Sequence, residues 1–515
     1  MYDIFLGAII FAIWSVILFY GKAIGLSMLL FAVPITLYII HILEKRHDDL
    51  NKKAKILIIP ITLLSSTYLI YSNLFFSILN IIVIPTLVVL MILELYKEKL
   101  EIRFNTIRKI LKVVFKPFNF IGEAFKKLKQ NFKERTKIET NSEKGKKIKK
   151  VAKALIITIP IVFVVLWLLS SADQIFGNIF GNILETISDL IRGIQFSTAI
   201  EEIILIAIAF IYFLGFFYYI SLKYENSEVK ENRKTKDSFT VKMILGALNA
   251  IYLIFCFIQI KSLFMKDVSI NYAEYARQGF FELMLVSIIN LVTVLIAKKR
   301  EIQESQKNKY IKIMCLAMVL FTFIILISAT YRMHLYESAY GYTLLRLLVY
   351  CTLFTEAVLL VPTIMYILDK NINLPKTYFA IVMSIYVCMN FANFDNLIAK
   401  RNIDRYIETG KIDIYYLQLG TGTDAVNQIM RILETEENEE GIKRKTELYL
   451  NDMYNYLVSE DMDFRDFNIS RILAKKLLED KHNYLEEIEK TQQNFNRNYI
   501  NNSIEIDENM AYIAD

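Results

Sequence analysis

LFFSILNIIVIPTLVVLMIL, residues 74–93, runs for twenty positions without a charge. A helix needs roughly 20 such residues to cross the hydrocarbon of a bilayer. Comparable stretches flank it at about 4–20, 24–43, 56–71, 151–169, 202–222, 243–265, 279–297, 311–330, 344–368 and 376–393, so eleven spans are expected. The charges are sorted into blocks between them: 22% of the 515 residues are charged, yet 55% are hydrophobic and the mean hydropathy is +0.36. A soluble protein would be nearer 45–50% apolar with its charges dispersed. The pattern excludes a purely soluble enzyme, a disordered chain and a small disulfide scaffold. The expected fold is an all-α polytopic membrane bundle with a helical domain at its C-terminal side.

Cys256, Cys315, Cys351 and Cys388 all lie inside apolar stretches, so no disulfide framework or CxxC metal site can be built. No cofactor or metal pattern is present, and none is expected. The first span lacks a basic leader and a small-residue cleavage site, so it reads as an anchor rather than a signal peptide.

Orientation follows from Lys and Arg in the loops. With the N-terminus in the cytoplasm, the inner loops carry 37 basic residues and the outer loops five, Lys22, Arg192, Lys266, Arg277 and Arg332. An odd number of spans then exports residues 394–515, which hold 15 basic and 25 acidic residues. The expected organisation, in a cell membrane, is an N-terminal four-helix region over 1–93 and a basic cytoplasmic amphipathic segment over 94–150. A seven-helix core over 151–393 and the acidic helical extracytoplasmic domain 394–515 follow. In that last part Gly410 is a natural C-cap for 397–409 and Thr423 a candidate cap for 424–433, while 439–457 and 468–490 have helical apolar spacing.

Residues 94–150 carry 18 basic against seven acidic residues. Phe104, Ile107, Ile110, Leu111, Val114 and Phe115 fall on one helical face, Arg103, Arg108, Lys109 and Lys112 elsewhere, and Pro117 interrupts the pattern before Phe120, Phe125 and Leu128 resume it. A basic amphipathic helix beside a span fits anionic inner-leaflet lipid, here through 103–133. Nucleic acid is not expected as a partner, because no recognition motif accompanies the charge. A second amphipathic stretch, 170–196, is expected to lie in the outer interface, to fold over the bundle, or simply to pack against neighbouring spans.

Polar groups gather around spans eight to eleven. Glu274, Gln278 and Glu282 are four apart, hence on one helical face, with Arg277 beside them. Arg332, His334 and Glu337 follow the ninth span, and Arg346 lies in the tenth. Glu356 is ten residues beyond Arg346, about 15 Å deeper and near the midplane. Asn390, Asn393 and Asn396 recur every three residues at the end of the eleventh span. Charges in spans are functional candidates by default. Interhelical pairing is the plainer reading, with Arg277, Arg332 and Arg346 meeting Glu274, Glu282 and Glu337. A polar site at the outer ends of spans eight, ten and eleven is the alternative. No Ser–His–Asp or paired-carboxylate pattern assigns a catalytic residue.

Three motifs carry a resemblance. YAEYARQGFFEL (272–283), RMHLYESAYGYTLLRL (332–347) and NFDNLIAKRNIDRY (393–406) resemble the signatures of an uncharacterised bacterial membrane family, the domain of unknown function numbered 4173. SSADQIF (170–176) and KIDIYYLQLGTGTDAV (411–426) are similar to it too, and Tyr342 stands where that pattern has Leu. The resemblance covers about 150–430 and implies a multi-span membrane protein without an established activity or site.

Three function classes remain open on the sequence. A transporter or ligand-handling protein is favoured by Glu356 within a span. A non-enzymatic envelope or signalling component, docking an envelope protein through its exported tail, is favoured by the size of that tail. A membrane enzyme acting on an envelope lipid would use the Arg groups for phosphate and a carboxylate as base.

Overall fold

The computed structural model describes residues 1–97, 104–136, 198–222, 238–264, 280–303, 309–435 and 440–481. The helices are α1 Tyr2–Phe19, α2 Leu26–Arg46, α3 Ile58–Ile70 (preceded by a 3-10 turn, Lys52–Leu57), α4 Leu74–Leu95, α5 Phe104–Phe115 and α6 Pro117–Thr136. Then come α7 Thr198–Ser221, α8 Ser238–Phe264, α9 Phe280–Gln303, α10 Lys309–Tyr340, α11 Leu344–Ile367 and α12 Leu374–Phe391. The C-terminal part is α13 Phe394–Thr409, α14 Ile414–Gly420, α15 Val426–Ile429 between two 3-10 turns, α16 Glu440–Ser459 and α17 Ile469–Glu479. No strand occurs among the described residues.

Ten helices among the described residues are long and apolar enough to span a membrane: α1–α4, with α3 including its 3-10 turn, and α7–α12. The chain is a multi-pass, all-α membrane protein. The spans expected from sequence coincide with these ten; the eleventh, at 151–169, lies outside the described residues, as do 170–196, Glu274, Arg277 and Gln278. Large side chains such as Leu253, Ile254 and Phe257 on α8 are exposed, as a lipid solvent permits and water would not. α10 is 32 residues long, about 48 Å, so it exceeds a hydrocarbon core of about 30 Å. Arg332, His334 and Glu337 therefore sit on that helix rather than in the expected loop. Its apolar pattern ends near residue 330, whereas its backbone hydrogen bonds continue for more than two further turns.

The described residues form two compact units. The first holds α1, the part of α2 from Pro34, most of α5, α6 and α7. Here α1 and α7 run antiparallel: Tyr20, just past the end of α1, hydrogen-bonds Glu201 near the start of α7, while Phe11 meets Phe213 and Phe217 further along it. The His47 ring, just past α2, meets the Ser221 carbonyl at 3.1 Å. Phe11, Tyr38 and Phe217 form an aromatic knot, with centroids 5.1–5.9 Å apart. Gly7 is required beside it, since a Cβ there would lie 1.9 Å from the Tyr38 hydroxyl. Pro117 begins α6, where the sequence places the break, and α6 packs across α7.

The second unit holds α3, α4 and α8–α17, with the beginning of α2. Its bundle core is α8–α11. α10 runs parallel to α8, with Asn249 bonding the Met314 carbonyl at one end and Ser328 bonding Gln259 at the other. α3, α4 and α12 pack around Ile61, Leu64, Tyr68, Ile84 and Leu87. One end of this unit is basic: Lys298 and Lys312 lie 2.6 and 3.6 Å from Asp369, and Lys376 pairs with Glu94. The other end is capped by α13–α17, whose own core includes Ile398, Ile403, Leu417, Val426, Leu450 and Leu478.

Gly410 ends α13 in the left-handed conformation, φ +67°, as expected. Two details differ from the sequence reading. Asn390, Asn393 and Asn396 do not share one helix: α12 stops at Phe391, Asn393 turns left-handed at φ +45°, and its side chain caps α13 by accepting from the Asn396 N–H. Thr423 caps nothing; its hydroxyl joins Ser72 and Ser470 instead, at 2.7 and 2.8 Å.

Candidate functional site: a polar column in the second unit

An apolar bundle tolerates a polar side chain only where a partner compensates its lost water. Along α8–α11 these groups form a series from the capped end to the basic end. Nearest the cap, the Tyr342 and Tyr350 hydroxyls are directed at the buried Glu337 carboxylate. Burial, then that carboxylate, push the Tyr342 hydroxyl up to about 12. Below it, Gln259 Oε1 accepts from Ser328 at 2.7 Å and from Arg332 at 3.1 Å.

At mid-depth stand Ser287 and Asn290, one turn apart on α9, facing Glu356 on α11 and Thr322 on α10. Glu356 is only 4% exposed. Its Oε2 shares a hydrogen bond with Ser287 Oγ, while its Oε1 has no partner among the described residues. Asn290 Nδ2 donates to Thr322 Oγ1 at 3.1 Å, and Asn290 Oδ1 likewise lacks a partner. Most buried polar atoms find one, so orphaned acceptors in the middle of a bundle call for an explanation. At the basic end Lys298, 1% exposed, closes the series on Asp369.

The remaining expected site residues are elsewhere. Among the described residues Arg346 meets no carboxylate: it donates to the Tyr340 carbonyl at 3.1 Å and to that of Gly341, and stacks on the Tyr336 ring, 4.3 Å from its centroid. It satisfies carbonyls left open where α10 ends. Glu282 is exposed at the start of α9, and His334 is exposed on α10, so neither joins the buried column. Asn390 belongs to a separate network, receiving Asn80 Nδ2 at 2.7 Å while Tyr386 donates to Asn80 Oδ1 at 2.6 Å. No group of three or more metal-ligating side chains occurs among the described residues.

A second buried cluster, which the sequence reading missed, seats the cap. Asp395 receives Asn73 Nδ2 at 2.6 Å and the Gly422 N–H at 3.0 Å. Asp424 receives the Ser72 N–H at 2.8 Å and its hydroxyl at 3.1 Å. Burial pushes the Asp395 carboxyl up to about 6 against the pull of these donors, and it raises Asp424 as well. A Cβ at Gly422 would stand 2.9 Å from Ser72 Oγ and 3.3 Å from Asp395 Oδ2, so a larger residue there would displace the hydroxyl that bonds Asp424. The signal available in sequence is the pair of acidic residues inside NFDNL and GTGTDA.

No curated protein and no solved structure matches the chain. A family model matches residues 58–432, which takes in α3, α4 and the whole polar column. It is not the family numbered 4173 that the motifs resembled. The chain belongs to the family described as Domain of unknown function (DUF4153).

Proposed function

We propose that the protein is a membrane transporter whose working part is the bundle α8–α11, with its site at mid-depth rather than at the rim. The observation that carries this reading is the buried series Glu337, Gln259, Asn290, Glu356 and Lys298, spread over the length of the bundle. Groups serving only as interhelical glue pair with one another and leave nothing over; here Glu356 and Asn290 each leave an acceptor over. In the cap, Asp395 and Asp424 are engaged in holding it to the α3–α4 turn, which favours the bundle over the tail as the working part. The positive-inside rule supports a cytoplasmic N-terminus in a cell membrane, with the basic end of the second unit inward and the cap outside.

The test is uptake into proteoliposomes of a labelled panel of amino acids, sugars, nucleosides and inorganic and quaternary ammonium cations. Saturable uptake of at least one, lost in Glu356→Gln and kept in the exposed control Glu282→Gln, is expected. Uptake of none, with the protein folded and oriented, would overturn the reading.

A further inference from the structure

The Glu356 cluster can be read by counting protons. Ser287 has one hydroxyl proton and two neighbours, the Met284 carbonyl at 2.7 Å and Glu356 Oε2. Thr322 donates to the Met318 carbonyl at 2.7 Å, so it can only accept from Asn290 Nδ2. If Ser287 donates to Met284 in the same way, the proton between Ser287 and Glu356 must be that of the carboxyl. Glu356 is then the neutral acid, donating through Oε2. Electrostatics agree, because an ionised carboxylate this buried, with no donor to one oxygen among the described residues, would cost several kcal/mol.

The charged residues on the elements packed against α11 stand at helix ends. Glu282, Arg332, His334, Glu337 and Arg346 are toward the cap; Lys298, Lys299, Arg300, Glu301, Lys309, Lys312 and Lys376 are toward the basic end. The α13 charges, Asp395, Lys400, Arg401, Asp404, Arg405 and Glu408, belong to the cap. Among the described residues no ion pair reaches Glu356.

The partnerless atoms favour one sign of ligand. The hydroxyls of Ser287 and Thr322 and one hydrogen of Asn290 Nδ2 are directed at protein acceptors. The atoms of the cluster with no partner at all among the described residues are both acceptors, Glu356 Oε1 and Asn290 Oδ1, on buried side chains. Surplus acceptors complement a positive species and repel an anion.

We infer that the cluster of Glu356, Ser287, Asn290 and Thr322 exchanges the Glu356 proton for a cation. In the exchange the carboxyl O–H bond breaks and its proton passes to a water molecule as hydronium. The carboxylate left behind, with Asn290 Oδ1, takes the cation; on return the cation leaves and a hydronium gives its proton back. This rests on the transport reading and narrows it to cations moved against protons.

Two measurements on the full chain test it. Infrared spectroscopy of the reconstituted protein at neutral pH should show a protonated-carboxyl C=O band that is lost in Glu356→Gln. That variant keeps the shape and donor capacity of the neutral acid, and its fold is checked by circular dichroism and gel filtration. Proteoliposomes holding a pH-sensitive dye should show proton movement when Na⁺, K⁺ or tetramethylammonium is added outside. The movement should fall at least tenfold in Glu356→Gln, fall in Asn290→Leu, and be partly retained in Glu356→Asp. Absence of the band overturns the neutral acid. The band without proton movement for any of the three cations overturns the exchange. Uptake of an uncharged solute without proton movement overturns the inference while leaving the transport reading standing.

Discussion

Asn402 on α13 grips the peptide of Tyr342 from both sides: its Oδ1 accepts the Tyr342 N–H at 2.8 Å, and its Nδ2 donates to the Tyr342 carbonyl at 2.8 Å. The grip is the centre of a clasp around the turn between α10 and α11. Arg405 donates to the Ala339 carbonyl at 2.7 Å, and the Tyr416 hydroxyl takes the Leu344 N–H at 2.7 Å. The cap thus supplies partners that neither helix end could find for itself. Asn402→Ala should cost about 2–4 kcal/mol by leaving both groups of the Tyr342 peptide unpaired. Faster proteolysis of the cap in detergent would register the loss. Gly341→Ala should have a similar effect, because φ is +80° there and a Cβ would stand 2.5 Å from Asn402 Oδ1.

Seating of the cap should be tighter in acid. The folded Asp395 carboxyl is raised from 3.8 to about 6. A raised folded value contributes stability that is full below pH 3.8 and is lost as pH rises through about 6. Asp424 shifts in the same direction. Thermal unfolding of the cap in detergent should therefore weaken by about 2–3 kcal/mol across that window. Asp395→Asn should flatten the slope; an unchanged slope would assign the effect to other groups.

Arg346 holds the end of α10. Arg346→Ala should destabilise by about 2 kcal/mol, through the freed carbonyls and the lost stacking on Tyr336. Lys keeps the charge without the planar fork and should fall between the two. Melting temperatures in detergent rank the three. Equal values for Ala and Arg would show that water replaces the guanidinium there.

Sidedness is open to a labelling experiment. With the four native cysteines replaced, a cysteine at exposed Leu419 in the cap should react with an impermeant maleimide on intact cells, and one at Lys370 only after lysis. The reverse result would invert the orientation.

The amphipathic α5 exposes Ile107, Leu111 and Phe115 at four-residue spacing, with Arg108, Lys109 and Lys112 interleaved. We propose that it binds anionic lipid. Replacing the three basic residues by Gln should reduce anionic lipid retained through purification, and high salt should mimic the change by screening. Retention that ignored both would make α5 a purely apolar anchor.

The spans were legible because bilayer thickness imposes a length and a composition on each of them. The ends of helices were less so. Nothing local distinguishes Arg332 on a projecting helix from Arg332 in a loop, and Asn393 at helical spacing gives no warning of a left-handed turn. Arg346 read as a partner for carboxylates because charge is visible in sequence, whereas the open carbonyls it serves are a property of the fold. Glu356 was visible as a charge within a span, but Ser287 and Asn290 looked like ordinary small polar residues until α9 was placed against α11. The family resemblance misled for a related reason. Short motifs rich in Tyr, Arg and Asn are what helix ends in membranes favour generally, so they discriminate weakly between families.

The joint between residues 25–27 and 465–467 bears on how the protein is made. Phe467 and Arg465 offer their carbonyls to the N–H groups of Leu26 and Ser27, at 3.2 and 2.9 Å, and Gly25 has no room for a Cβ beneath Asp466. These contacts join segments separated by most of the chain, so their closure belongs among the slow, non-local steps of folding. During synthesis the start of α2 must wait, its partners untranslated, until the core spans have been inserted. A chain that stalls or is clipped before residue 465 leaves that joint open. The joint thus ties the acceptance of the first spans to the arrival of the last helices.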